Sequence, residues 1–330
     1  MLALLYMNNL IFSGMQPTGS LHLGNYLGAL KQWVELQEQH DSIFCIVDYH
    51  ALTIDYSPKD LPNRITELAL DYLSAGVDPE KSIVFVQSQI PEHTELAWIF
   101  NSITPMGELE RMTQFKEKSE QHKQNINAGL FTYPILQAAD ILLYKADRVP
   151  VGEDQVQHVE LTRDIAKKFN KTFGKTFPET KVILTKTARI MSLVDPEKKM
   201  SKSLGEKHYI ALSDSPDAIK KKVRSAVTDT HGGSKSAGVT NLFDILEALN
   251  GDDMVSELKD QHKKGKLPYK DLKDIVANTI ISHLKPIQER RRELEEQREE
   301  IGEILIEGAE RAQEIAQKTM EEVREKVGVR

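Results

Sequence analysis

Short apolar runs alternate with helical patterns through the first half of the chain. The runs Leu10–Ser13, Ser42–Asp48 and Ser82–Gln87 have the length and composition of buried strands, and each is followed by a segment long enough for a helix. This alternation is typical of a parallel sheet, because neighbouring parallel strands are joined by helix-length crossovers. We therefore predict an α/β protein built on a parallel sheet.

The helix after the second run has recognisable end signals. Ser57 is a residue type that caps helices, Pro58 suits the first helical position, and Asp60 completes a box-like start. Gly76 follows the last periodic residue, as it does at many helix ends. These residues predict a helix that begins just after Ser57 and ends before Gly76.

Helical patterns follow at 132–144 and 152–169, and after Ser203 the chain changes to charged helices with little strand signal. We predict a sheet domain over 1–205 and an all-helical domain over 206–330. The final stretch repeats apolar residues at three- and four-residue spacings, which predicts a long helix packed back on the protein. Its stripe consists of Ile301, Ile304, Leu305, Ala309, Ala312, Ile315, Ala316 and Val323.

Composition limits the partners of the chain. Its 330 residues are 40% hydrophobic and 28% charged, with a formal net charge of −7. Such a chain has no overall attraction to nucleic acid, so a polyanion must be held by local basic patches. The runs Lys220–Lys222 and Arg290–Arg292 are candidates, although a solvated helix face is the commoner fate of a single run.

The single cysteine, Cys45, lies in an apolar run and is expected to pack in a strand. One cysteine forms neither an intrachain disulfide nor a multi-thiolate metal site, so we expect no zinc or iron–sulfur cluster and an intracellular protein. The segment Met1–Met7 lacks a basic lead and a cleavage site, and no run reaches membrane-spanning length. We expect a cytoplasmic protein without a membrane partner, with Met7 as an alternative start.

A first motif, Ser13–Tyr26, joins the first strand to the first helix and contains the sequence His-Leu-Gly-Asn. The amides of Gly24 and Asn25 at the helix start are expected to be free to bind phosphate. His22 can donate a hydrogen bond to phosphate oxygens in a transition state. By itself, the segment is equally compatible with an ordinary turn.

A second motif, Lys199–Ser203, reads Lys-Met-Ser-Lys-Ser. Its two lysines, flanked by small hydroxyl residues in a mobile loop, can bring positive charge onto a triphosphate. Taken alone, a short lysine-rich run is usually a solvated surface loop. The two motifs together resemble the two signatures of class I aminoacyl-tRNA synthetases.

Further blocks resemble the bacterial tryptophanyl branch of that family, in order and from about residue 10 to the end. They are Gly107–Lys118, Tyr133–Leu142, Val149–Gln155, Ala188–Ser192 and Arg224–Asp229. Two positions depart from the family pattern: Asn25 replaces a His, and Gln137 stands where many relatives carry Met. The resemblance implies a Rossmann-like, doubly wound sheet domain that binds ATP and tryptophan, and a helical domain that binds the tRNA anticodon.

The resemblance also implies residue roles. The catalytic group comprises His22, Lys199 and Lys202. The tryptophan-binding group comprises Phe12, Gln16, His50, Tyr133, Gln137, Asp140, Val149, Val151 and Gln155. The ATP-binding group comprises Gln16, Pro17, Thr18, Gly24, Asn25, Lys116, Lys118, Gly152, Glu153, Asp154, Ile190, Lys199, Met200, Ser201 and Lys202.

Spacing adds support for part of this site. Tyr133, Gln137 and Asp140 are four and three residues apart, so a helix places them on one face. By resemblance, Asp140 accepts the indole N–H, a donor that needs a partner when buried. His50 follows a predicted strand, and ligands of parallel sheets lie beyond such carboxyl ends.

The implied activity is ATP-dependent formation of tryptophanyl-adenylate, followed by transfer to the 2′-OH of the terminal adenosine of tRNA(Trp). The implied partners are L-tryptophan, ATP with Mg²⁺, the tRNA and a second copy of the chain in a homodimer. Three alternatives share part of the pattern: a small nucleotidyltransferase, a tyrosyl-tRNA synthetase, and a non-catalytic or paralogous relative that binds tryptophan or nucleotide. The paired lysines favour an enzyme, and the branch-specific blocks favour tryptophan.

Overall fold

A computed structural model describes residues 9–113, 126–184, 189–228, 237–250 and 252–330. Within these residues, five strands form one parallel sheet in the order β3-β2-β1-β4-β5. The strands are β1 Ile11–Met15, β2 Ser42–Ile46, β3 Ser82–Val86, β4 Arg148–Val151 and β5 Lys181–Leu184. The parallel sheet and the three predicted strands are confirmed, and β4 and β5 were not predicted.

Helices pack on both faces of the sheet and make up the region after residue 205. The first helical segment is continuous, with α1 Leu23–Asn25, a π-helical turn Tyr26–Leu30 and α2 Lys31–Leu36. The other α-helices of the described residues are α3 Asp48–Ala51, α4 Leu61–Ala75, α5 Glu92–Ile103, α6 Met106–Glu110, α7 Ala128–Leu143, α8 Val156–Phe173, α9 Pro216–Arg224, α10 Ala237–Asn250, α11 Asp252–Lys263, α12 Tyr269–Glu296 and α13 Arg298–Val327. Short 3₁₀ turns are Gln87–Gln89, Glu153–Gln155, Lys202–Leu204 and Glu206–His208. Among the described helices, none has the length and apolar character needed to cross a bilayer.

The predicted start of α4 is wrong by one turn. The helix begins at Leu61 after Asp60, and Ser57 contributes its backbone carbonyl, which accepts hydrogen bonds from the amides of Asp60 and Leu61 at 3.1 Å each. Residues 58–60 therefore form a turn before the helix, because the Ser57 carbonyl closes that turn. The predicted end is confirmed, since Gly76 follows Ala75.

Strand order determines where a ligand can enter. β1, β2 and β3 progress towards one edge of the sheet, whereas β4 and β5 progress from β1 towards the other. The reversal opens a crevice beyond the carboxyl ends of β1 and β4, where open parallel sheets bind their ligands.

The last helix, α13, covers the edge strand β3. A Cβ atom at Gly308 would lie 1.9 Å from the carbonyl oxygen of Val84, so only glycine allows this close approach. Ala309, Ala312 and Ala316 of the predicted stripe are buried beside it. A covered edge strand offers no free backbone groups to another chain. The domain boundary at residue 205 stays a prediction.

Candidate active site

A cavity of about 300 Å³ lies at the carboxyl ends of β1 and β4. All nine residues predicted to bind tryptophan line this cavity, together with Gly152 from the ATP-binding group. They come from β1 and the residue after it, from β4 and the 3₁₀ turn after it, from α7, and from the helix that follows β2. The fold therefore gathers into one cavity residues that are up to 143 positions apart, from Phe12 to Gln155.

Helix α7 presents one face to the cavity, as the spacing predicted. Asn127 caps the helix, since its Oδ1 accepts a hydrogen bond from the amide of Leu130 at 2.9 Å. The helix then places Tyr133, Gln137 and Asp140 along the cavity wall. The hydroxyl of Tyr133 is hydrogen-bonded to Nε2 of His158 at 2.9 Å.

In the cavity wall, Asp140 accepts hydrogen bonds from three side chains. Its Oδ2 accepts from Nε2 of His50 at 2.8 Å, and its Oδ1 accepts from Nε2 of Gln87 and from Nδ1 of His93, both at 2.7 Å. The residue is 1% exposed. Burial opposes ionisation, but hydrogen bonds from His50 and His93 outweigh it and lower the pKa of Asp140 to about 2. The wall therefore carries a fixed negative charge at neutral pH.

His93 and Gln87 were missed by the sequence analysis. His93 is fully buried and also bonds through Nε2 to the hydroxyl of Tyr144 at 2.8 Å, so it connects Asp140 to a buried tyrosine. The signal was present, because His93 and Gln87 follow the carboxyl end of β3 as His50 follows that of β2.

The first motif has a different geometry from the predicted phosphate cradle. His22 Nδ1 accepts from the amide of Asn25 at 3.2 Å, and Asn25 Oδ1 accepts from the amide of His22 at 3.2 Å. The prediction that the Asn25 amide is free is therefore wrong, because this reciprocal capping box occupies it. Burial, with help from Lys202 and Lys199, lowers the pKa of His22 to about 4.

A neutral imidazole that accepts through Nδ1 carries its proton on Nε2. The Nε2–H group of His22 can therefore donate to a ligand, which is the role predicted for this residue.

The two motifs are in contact. Nζ of Lys202 donates to the carbonyl oxygen of Ser20 at 2.9 Å and to that of Thr18 at 3.3 Å. Between these carbonyls, Gly19 adopts a φ of +116°, and a Cβ there would lie 3.0 Å from the lysine Nζ. The amide of Met200 donates to the carbonyl of Ile190 at 3.1 Å, and the Cβ of Met200 lies 3.5 Å from the position that a Cβ at Gly24 would take.

The remaining predicted residues are more dispersed. Pro17 and Thr18 line a second cavity of about 160 Å³ with Tyr56 and Arg64. Lys199 and Glu153 are exposed. Lys116 and Lys118 lie outside the described residues, as does the side chain of Asp154.

Two members of the basic runs are paired with carboxylates of the same chain. Lys222 donates to Asp214 at 2.6 Å, and Arg291 is paired with Glu67 and Asp71. These cations neutralise carboxylates of the same chain, and the tRNA-binding role of the two runs stays a prediction. Lys221, Arg290 and Arg292 are exposed.

A parallel sheet with a cavity at its switch point and two contacting motifs is the arrangement expected of a class I tRNA synthetase, and the sequence comparison shows that the chain belongs to that class. The family described as tRNA synthetases class I (W and Y) matches residues 7–285.

Individual relatives specify the branch. The tryptophan–tRNA ligase of Wolinella succinogenes is 49% identical over 325 residues, 97% of this chain and 98% of that protein. The crystal structure of tryptophanyl-tRNA synthetase from Mycoplasma pneumoniae superposes with a TM-score of 0.87 at 36% identity, covering 98% of this chain and 99% of that one. The enzyme from Campylobacter jejuni, complexed with ADP and tryptophan, gives a TM-score of 0.82 at 36% identity, covering 97% and 100%. The chain belongs to the tryptophan–tRNA ligase family.

Proposed function

We propose that the chain activates L-tryptophan with ATP and transfers it to the 2′-OH of the terminal adenosine of tRNA(Trp). The observation that carries this proposal is the single cavity lined by all nine residues predicted to bind tryptophan. Gln16 belongs both to this cavity and to the first motif, so the amino-acid and nucleotide sites adjoin. The complex of the Campylobacter jejuni relative with ADP and tryptophan supports the same pair of ligands.

Asp140 is proposed to read the indole N–H. A carboxylate offers about four acceptor positions, and His50, Gln87 and His93 use three of them. One position is left for a donor in the cavity, and the negative charge strengthens that hydrogen bond. Gln137 lines the cavity one helical turn away, and its side-chain carbonyl can share the same N–H. Tyr133 and Gln155 are proposed to hold the substrate ammonium.

The first step forms a bond between a carboxylate oxygen of tryptophan and the α-phosphorus of ATP. The bond from that phosphorus to the bridging oxygen breaks, and pyrophosphate leaves with the electron pair. Mg²⁺ accompanies the phosphates as part of the ATP substrate. His22 donates through Nε2, and Lys202, Lys199, Lys116 and Lys118 supply positive charge as negative charge develops.

In the second step, the ribose 2′-oxygen attacks the carbonyl carbon of the adenylate, AMP leaves, and the hydroxyl proton passes to water. We propose that residues 206–330 form the domain that binds the anticodon. We also propose a homodimer in the cytoplasm. Trp98 and Met106, on consecutive helices, are 76% and 64% exposed, as expected of residues that a second copy covers.

Pyrophosphate exchange tests this function most directly, because it needs no tRNA. Radiolabelled pyrophosphate should enter ATP in the presence of tryptophan and should not do so with tyrosine or the other standard amino acids. Charging of tRNA(Trp) transcripts then tests the second step. Tryptophan binding without exchange would instead identify a non-catalytic relative.

A further inference from the structure

The turn of the first motif is hydrogen-bonded to a buried carboxylate that has no proposed role in catalysis. Asp71 of α4 is 3% exposed, and its Oδ2 accepts a hydrogen bond from the amide of Leu21 at 3.1 Å. Leu21 lies between Ser20, whose carbonyl contacts Lys202, and His22. Burial lowers the pKa of Lys202, and the charge of Asp71 opposes that change, so the two groups act on each other across the turn.

Arg291 of α12 holds Asp71 in place. Its Nη1 donates to Oδ1 of Asp71, and its Nη2 donates to Oε2 of Glu67, one turn earlier on α4. The side chains of Arg291 and Asp71 are 14% and 5% exposed. Removing the cation beside a buried carboxylate is destabilising, because the desolvation of that carboxylate is then no longer compensated by the ion pair. The position of Asp71 therefore depends on a helix from the far end of the sequence.

The same helix contacts the motif directly at one further point and reaches it at another through Leu212. The hydroxyl of Tyr26, four residues after His22, is hydrogen-bonded to Nε2 of His283 at 2.8 Å. Nε2 of Gln288 donates to the carbonyl of Leu212 at 2.6 Å, and the amide of Leu212 donates to the carbonyl of Leu21 at 3.1 Å. Helix α12 is thus linked to the motif on both sides of His22, at Leu21 and at Tyr26.

We propose that Asp71 and Arg291 are a positioning pair that sets the first motif and Lys202 for ATP, and so links α12 to nucleotide binding. This inference rests on the proposed function. The pair does not touch the phosphates. It fixes the Leu21 amide, and this in turn fixes the Ser20 carbonyl that Lys202 contacts and the ring of His22 beside it. The tryptophan cavity has no contact with either residue.

The test separates ATP from tryptophan. Arg291→Gln and Asp71→Asn should each lower kcat/KM for ATP in pyrophosphate exchange by roughly 10- to 100-fold, the scale of a small misplacement of catalytic groups. The KM for tryptophan should stay within about twofold, because the pair does not line that cavity. The double variant should lose little more than the worse single variant, since both break one interaction. Arg291→Lys should recover part of the loss.

Arg324→Gln is the matched control. Arg324 joins α13 to Glu95 through two hydrogen bonds, at 2.8 and 2.5 Å, and lies away from both motifs. This variant should lose thermal stability and keep the KM for ATP. The pair is merely structural if Arg291→Gln changes the ATP and tryptophan constants equally, or if Arg324→Gln reproduces its kinetic effect.

A variant that does not fold and a native chain without exchange each require a different measurement. If Arg291→Gln does not fold, Asp71→Asn and Arg291→Lys carry the same test, and normal ATP constants in both overturn the proposal. If the native chain shows no tryptophan-dependent exchange, the proposed function fails. Calorimetric binding of ATP alone to the same variants then decides whether the pair positions the motif.

Discussion

Two buried carboxylates organise the two halves of the site, on helices that pack on opposite faces of the sheet. Asp140 is held by three side chains from the ends of strands or their following helices, and the pKa of its carboxyl is lowered to about 2. Asp71 is held by one backbone amide and by a cation from α12, and burial raises its pKa to about 6. The carboxylate of the amino-acid half is therefore held by residues that follow the strands of the sheet, whereas the carboxylate of the nucleotide half is held by a helix from the region after residue 205.

Removing the charge of the nucleotide half should have the largest effect. Lys202→Ala should cut adenylate formation by ~100-fold or more, the scale of losing one preorganised charge donor, while tryptophan binding changes little. Exchange kinetics and equilibrium tryptophan binding, measured on the same preparation, check both statements. An unchanged kcat for exchange would remove Lys202 from the catalytic group.

We expect a substitution of His93 to affect the amino-acid half through Asp140, without any contact between His93 and the ligand. His93→Leu removes one donor to the Asp140 carboxylate, which should cost about 1.5–3 kcal/mol of stability and raise the KM for tryptophan but not for ATP. Tyr144→Phe, which removes only the hydroxyl bonded to His93, should cost about 0.5–1.5 kcal/mol. Denaturant unfolding and exchange kinetics measure the two effects. A rise in both KM values would mean that the two halves are not separate.

The opposite pKa shifts of Asp71 and Asp140 predict that their contributions to the free energy of unfolding change in opposite directions with pH. Because burial raises the pKa of Asp71 to about 6 from 3.8, the folded state binds a proton that the unfolded chain lacks between these values. This contribution to the free energy of unfolding therefore falls as pH rises from about 4 to 6. For Asp140, with a lowered pKa of about 2, the contribution falls as pH drops from about 4 towards 2. Asp71→Asn should flatten the upper window alone, as followed by unfolding across pH.

The same contrast explains how much the sequence could predict. The wall formed by Tyr133, Gln137 and Asp140 was predictable, since its positions follow helical spacing and lie close in the chain. The Asp71 and Arg291 pair joins residues 220 positions apart, and the sequence marks Arg291 only as the middle residue of a basic run. Burial and pairing of Arg291 depend on how α12 packs, which local pattern does not encode.

Strand and cap errors have local causes. β4 has four residues and contains Pro150, a residue that argues against a strand, and the apolar run of β5, Val182–Leu184, is only three residues long. The free amide predicted for Asn25 is wrong because the His22 side chain is a hydrogen-bond acceptor for that amide as well as a possible donor to phosphate. Histidine is an unusual capping residue, and the capping box appears only once the side-chain orientation is known.

The central claim is that the Asp140 carboxylate reads the indole N–H, and a substrate analogue tests it most directly. Asp140→Ala would leave three buried donors unpaired, so Asp140→Asn, which keeps one oxygen, is the cleaner change. The measurement is kcat/KM in pyrophosphate exchange for tryptophan and for its analogue with ring sulfur in place of N–H, in the native chain and in Asp140→Asn. Native enzyme should prefer tryptophan by roughly 10- to 150-fold, the value of about 1.5–3 kcal/mol for a hydrogen bond to a charged group, and Asp140→Asn should lose most of that preference. Equal losses for both substrates would contradict the account and leave Asp140 as a structural support of the cavity.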